Sequence, residues 1–171
     1  MGNTVSPAAA MAIVYWLHML ATVIWIGGLV ALVVFVIPSA QRVLNPEAFA
    51  GLLAAIQRRL DPFGWFCLAL LVGTGMFQMS ANPNYGGFLA IDSTWAAAIL
   101  IKHAVFLLMI VVSGYLTWGV LPNLQRAILK LNQGKPAPEM VKLQRQNILL
   151  VRINLALAVF VLLLTALARV S

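Results

Sequence analysis

Residues 8–37 form a run of 30 positions without one charged side chain. A helix needs about 20 apolar residues to cross the ~30 Å hydrocarbon core of a bilayer, and this run exceeds that. It is also longer than a signal-peptide core and has no basic segment before it. Three further runs follow at 62–79, 94–121 and 148–168, carrying no charge, Lys102 alone, and Arg152 near the start, respectively. Of the 171 residues, 63% are apolar and 9% charged, against roughly 45–50% and 25% in soluble domains. These values exclude a soluble globular enzyme and a disordered chain. The fold class they predict is an all-α integral membrane protein, one four-transmembrane-helix bundle over residues 1–171.

Charge placement orients the bundle. The net charge is +7, but the basic residues flank apolar runs and are not interleaved with aromatics, which argues against a nucleic-acid partner. Arg42, Arg58 and Arg59 lie between the first two runs, and Arg126, Lys130, Lys135, Lys142 and Arg145 between the last two. The middle connection, 80–93, has no Lys or Arg. By the positive-inside rule the first and third connections are cytoplasmic, and both termini and the 82–87 loop are extracytoplasmic. Tyr85 and Trp95 fit an outer aromatic belt, Trp65 and Trp118 an inner one. Within the first connection, Asn45 can cap a helix starting at Pro46-Glu47. Apolar residues then recur at helical spacing, predicting a cytoplasmic amphipathic helix over 46–60. A second such start, Pro138-Glu139, leads through Lys142 and Arg145 into the fourth run.

The two halves echo each other. Nineteen residues separate His18 from Pro38-Ser39-Ala40-Gln41-Arg42, and eighteen separate His103 from Pro122-Asn123-Leu124-Gln125-Arg126. A Pro-Glu and then a Gln-Arg pair (Gln57-Arg58, Gln144-Arg145) follow each. This is the pattern of a parallel duplication of a two-helix unit. Both histidines fall about 7 Å outward of their span midpoints at 1.5 Å per residue.

His18 and His103 are the chain's two histidines, and ionisable groups inside a membrane usually face the bundle interior with a partner. Two histidines at matched depth suit the axial ligands of a haem b held between helices. Tyr15, Thr22, Trp25, Ile99, Phe106 and Leu107 would then line the porphyrin pocket. Lys102 is placed to meet an anion such as a propionate, or to snorkel outward. Copper is the alternative cofactor, with His18 and His103 joined by the thioethers of Met19, Met76 or Met79. In a third reading the histidines only bridge helices of a structural subunit. Cys67, the single cysteine, reads as an inert packing residue. Asp61 and Asp92 sit at span ends, and no paired carboxylates or nucleophile–His–Asp set occurs within the spans. No catalytic residue is assigned, and a non-enzyme is favoured; any catalysis would come from a bound cofactor.

The stretch from Leu17 to Gly28, with its His-x6-Trp-x-Gly-Gly pattern, resembles the first helix of CopD-like copper-resistance membrane domains. Arg58-Arg59-Leu60 before Gly73-Thr74-Gly75, Ile101-Lys102-His103 through Pro122, and Arg152-Ile153-Asn154 are similar to the remainder. A weaker resemblance is to HemJ-type protoporphyrinogen oxidases, haem-dependent oxidoreductases. The CopD likeness implies a multi-pass protein of the bacterial inner membrane linked with copper uptake. The HemJ likeness implies haem ligation by His18 with Lys102 or His103. Lys102 and His103 are adjacent and so about 100° apart on a helix, which keeps both from one site. The functional expectation is a b-type haem between His18 and His103 acting in electron transfer, with copper binding or import as the alternative. Expected partners are the lipid bilayer and a redox partner, a larger membrane complex or a second copy of the chain.

Overall fold

The computed structural model describes residues 6–83, 85–87 and 93–170; Asn84 of the middle loop and Asp92 lie outside them. The elements are α1 (Pro7–Val30), a π-helical segment (Ala31–Val36), α2 (Ile37–Val43), α3 (Pro46–Ser80), α4 (Thr94–Gly114), a second π-helical segment (Tyr115–Val120), α5 (Leu121–Asn132) and α6 (Met140–Val170). No strand occurs among the described residues. Each π segment joins its neighbours into one rod, so four rods result, of 37, 35, 39 and 31 residues, all apolar enough to cross a membrane. At 1.5 Å per residue they measure roughly 47–58 Å, so each projects beyond the hydrocarbon.

Caps begin three of the rods. The side chains of Ser6, Asn45 and Ser93 accept from the backbone N–H groups of Ala9, Ala48 and Ala96 at 3.3, 2.8 and 3.1 Å, and Pro7 and Pro46 occupy first positions that have no N–H to lose. The amphipathic helix expected at 46–60 and the span expected at 62–79 form one unbroken helix, α3, with Pro62 inside it. An interior proline costs about 3 kcal/mol. One buried stripe offsets it, running from Phe49, Leu53 and Gln57 below the proline to Cys67, Leu68 and Leu71 above.

The duplication predicted from the two halves has a backbone counterpart. Each π segment ends two residues before a proline, Pro38 or Pro122. In both, the residue before the proline donates five residues back, Ile37 N–H to the Leu32 carbonyl and Leu121 N–H to the Leu116 carbonyl. The wider turn separates the pyrrolidine ring from the carbonyl it would strike in an α-helix.

The rods pair as two antiparallel hairpins, α1 with α3 and α4 with α6, and α6 also contacts α1 and α3. Along the first hairpin Gln78 reaches the Val14 carbonyl, His18 meets Thr74, and Trp25 lies against Gly64. The largest buried cluster gathers Leu32, Ile37, Phe49, Leu53, Leu116, Val120, Ile148 and Val151 around the π segments. Beside it Gln57 and Asn147 form a buried reciprocal amide pair, with bonds of 2.9 and 2.7 Å. Large apolar side chains such as Trp16, Val23, Leu107 and Leu163 cover the outside, as lipid requires.

The aromatic belts are only partly lipid-facing. Trp95 is buried against Met79 and Ala96 and closes the outer end of the core. Trp65 and Trp118 stack on each other, with centroids 4.8 Å apart. A Cβ at Gly114 would lie 3.1 Å from the Trp118 ring, so the glycine permits this close approach.

Candidate functional site

Two polar layers interrupt the apolar interior. In the first, the Thr74 hydroxyl donates to the Leu70 carbonyl one turn earlier. Its oxygen therefore accepts from His18, whose Nδ1 lies 2.8 Å away. The neutral imidazole then carries its lone pair on Nε2, the tautomer of a metal-ligating histidine braced through its other nitrogen. Gly75 adds a spatial condition: a Cβ there would sit 3.5 Å from His18 Cε1. Lys102 of α4 precedes His103 and is half-buried.

His103 follows the same tautomer logic by another route. Its Nδ1 lies 2.7 Å from the Ile99 carbonyl, and a carbonyl can only accept. The Thr22 hydroxyl turns back to the His18 carbonyl. Trp25 and Phe106 meet edge-on, with centroids 6.2 Å apart, and join α1 to α4. Tyr15, Met19, Leu107 and Met76 are exposed on the outside of the bundle, Met19 at 66%, and do not join the interior layer. Met79 is buried one turn outward of Gly75, against Trp95 and Ala96, and Cys67 is buried two turns inward of Thr74, against Ala21 and Leu71. Among the described residues no three His, Cys, Asp or Glu side chains gather as a metal cluster.

The second layer lies inward of the first and surrounds a cavity of about 90 Å³ whose lining includes Asp61, Trp65, Ser113, Thr117 and Asn154. Trp65 Nε1 donates to the Thr117 hydroxyl at 3.4 Å, and the Asp61 carboxylate shares the cavity wall with both. Asn154 Nδ2 donates to Ser113 Oγ at 2.7 Å, a bond between α6 and α4. Neither histidine lines this cavity.

Sequence reasoning missed Thr74 as the partner of His18 and treated Asp61 as a span-end residue. The signal for Thr74 is its position between two glycines in a helix, where small neighbours admit a ring from the facing helix. The signal for Asp61 is its spacing from Trp65, one turn on. Thr117 and Ser113 carry no mark that separates them from other hydroxyls in apolar helices.

A protein-family model described as copper resistance protein D (CopD) matches residues 54–168, well over half of the chain. The match includes Asp61, Thr74, Lys102, His103 and Asn154; α1, with His18, precedes it. Comparison with curated proteins and with solved structures gave no match, and the likeness to HemJ-type proteins is not shown. With four membrane-crossing rods and this match, the chain belongs to the copper resistance protein D (CopD) family of multi-pass membrane proteins.

Proposed function

We propose that this protein binds copper inside its bundle as cargo and passes it through the membrane, with His18 Nε2 as a ligand. The observation that carries the reading is the Thr74–His18 bond, which holds the imidazole by Nδ1 and leaves Nε2 as the donor atom. Family membership supports copper as the metal. Cys67 offers a soft sulfur donor on the Thr74 face of α3, about 10 Å from Thr74 along the helix axis, and Met79 a thioether buried against Trp95 at the outer end of the core. Imidazole, thioether and thiolate are the ligands that suit copper. Successive donors, rather than one closed cage, suit an ion that must leave again. The asymmetry of Lys and Arg supports an orientation with His18 in the extracytoplasmic half.

A second reading has its own observation. His18 and His103 share the Nδ1-bonded tautomer, which also suits two axial ligands of a haem b in electron transfer.

One preparation separates the two. The full chain in lipid nanodiscs is loaded with Cu(I) without oxygen, washed, and assayed for copper per chain and for its visible spectrum. The copper reading expects retained copper in the wild type, its loss in His18→Ala, and no Soret band. A Soret band that vanishes in both His18→Ala and His103→Ala selects haem. Copper retained equally by His18→Ala overturns the first reading.

A further inference from the structure

We propose that the cavity inward of the histidine layer is a binding site for a hydrated alkali cation, held by the Asp61 carboxylate and the Asn154 amide oxygen. Both residues line the cavity, together with the hydroxyl-bearing Ser113 and Thr117. Asn154 is 3% exposed. Its Nδ2 is committed to Ser113, while its Oδ1 is buried without a hydrogen-bond partner. A buried carbonyl oxygen with nothing to accept from is costly and rare; a cation or its water shell supplies what it lacks.

The second observation is charge. Asp61 brings one negative charge into the wall of an apolar bundle. The ion pair found among the described residues is Lys130–Glu139, which leaves the Asp61 carboxylate without a cationic side chain there. Thr117, which accepts from Trp65, lines the cavity with Asp61 and brings no charge. In a low-dielectric interior a carboxyl without a counter-charge is driven toward its neutral form, and a bound cation is what would keep this one ionised.

The donor set selects the class of cation. Carboxylate, amide and hydroxyl oxygens suit hard cations, whereas copper prefers nitrogen and sulfur. One carboxylate balances one positive charge, and a divalent ion would leave net charge in the membrane. The cavity volume of about 90 Å³ admits an ion with several waters, since one water needs roughly 10–15 Å³ of such space. The π segments shape the wall, through Leu32 from the first and Leu116 and Thr117 from the second. A wide turn inside a span is a frequent accompaniment of a functional site. The site is distinct from the copper layer and stands independently of it.

The test uses the full chain in nanodiscs and radioactive 22Na+ at constant ionic strength, balanced with choline chloride. Expected are saturable binding of one ion per chain, competition by unlabelled Na+ or K+ but not by choline, and at least a tenfold loss of affinity in Asp61→Asn. Asn154→Leu should lose binding as well, while His18→Ala should keep it. No competable 22Na+ binding by the wild type, whatever the variants do, means that the cavity holds water alone and overturns the proposal. Undiminished binding in a folded Asp61→Asn protein overturns it equally.

Discussion

Thr74 Oγ1 receives the Nδ1 proton of His18 across 2.8 Å while giving its own proton to Leu70. A hydroxyl on α3 thus decides which nitrogen of a ring on α1 carries the lone pair. The direction of that chain is forced at its far end, because the Leu70 carbonyl can only accept. The bond also fixes the ring's orientation, with Cε1 packed beside Gly75.

Thr74→Val keeps the shape of the side chain and removes the acceptor. Loss of one hydrogen bond costs about 1 kcal/mol of stability, so the protein should remain folded. Copper retained in nanodiscs should fall more steeply, since removing the partner of a metal-binding histidine weakens affinity by roughly 10–100-fold. Thr74→Ser should restore most of it. Competition with a Cu(I) chelator measures both variants, and equal affinity in Val and wild type would detach Thr74 from the site.

The reciprocal pair of Gln57 and Asn147 makes a stability prediction that does not depend on any ligand. Each amide both donates to and accepts from the other in a buried setting. Gln57→Leu strands the Asn147 amide and should destabilise the bundle by about 1–3 kcal/mol. The double variant Gln57→Leu with Asn147→Leu should recover much of that loss, because no polar group is left unpaired. Thermal unfolding of the wild type, Gln57→Leu, Asn147→Leu and the double variant in one detergent closes the cycle; additive losses would contradict it.

The spans were legible because bilayer thickness imposes a length and a hydropathy that few other folds need. The Asn45 cap and the proline-ended halves were legible for the same kind of local reason, and the halves reappear as matched π turns before Pro38 and Pro122. The fate of Pro62 was not. Whether a proline ends a helix depends on the packing at both sides, here Gln57 below and Cys67 above, which no local pattern encodes. The inward faces of single residues were hidden for a related reason. In a helix that is apolar all round, periodicity does not separate a buried Met79 or Trp95 from an exposed Met19. His18 and Lys102 stood out by chemistry; Thr74 and Ser113 depended on helix rotation, which only the assembled bundle fixes.

Outside the membrane, Glu139 gives a pH-dependent observable. Lys130 Nζ lies 2.6 Å from its carboxylate, and that hydrogen bond holds the Glu139 carboxyl below the usual range for glutamate. A depressed folded value means that the contribution is complete above the ordinary glutamate range of about 4.3 and is lost as pH falls through the lower folded value. The pair is exposed, so salt should weaken it. Carboxyl NMR with labelled glutamate should find Glu139 titrating below the ordinary glutamate range, and Lys130→Ala should bring it back up. An unchanged titration in Lys130→Ala would remove the pair as the cause.

Pro122 connects backbone geometry to the inner cavity. Its ring blocks ordinary α-helical bonding to the preceding turn, and the π segment that answers it carries Thr117, the partner of Trp65. Pro122→Ala removes the steric reason for the wide turn and returns an N–H to the ladder, a change worth up to about 3 kcal/mol inside a helix. Thermal stability should therefore rise. Tightening π to α rotates the preceding residues relative to α3, so Thr117 should leave Trp65 and the stack of Trp65 on Trp118 should change. Near-UV circular dichroism and tryptophan emission register that stack, which is 4.8 Å between centroids in the parent. A gain in stability with an altered tryptophan signal identifies the π turn as a feature kept at a cost to stability. A loss of stability would instead mean that the wide turn is intrinsic to residues 115–120 and independent of the proline.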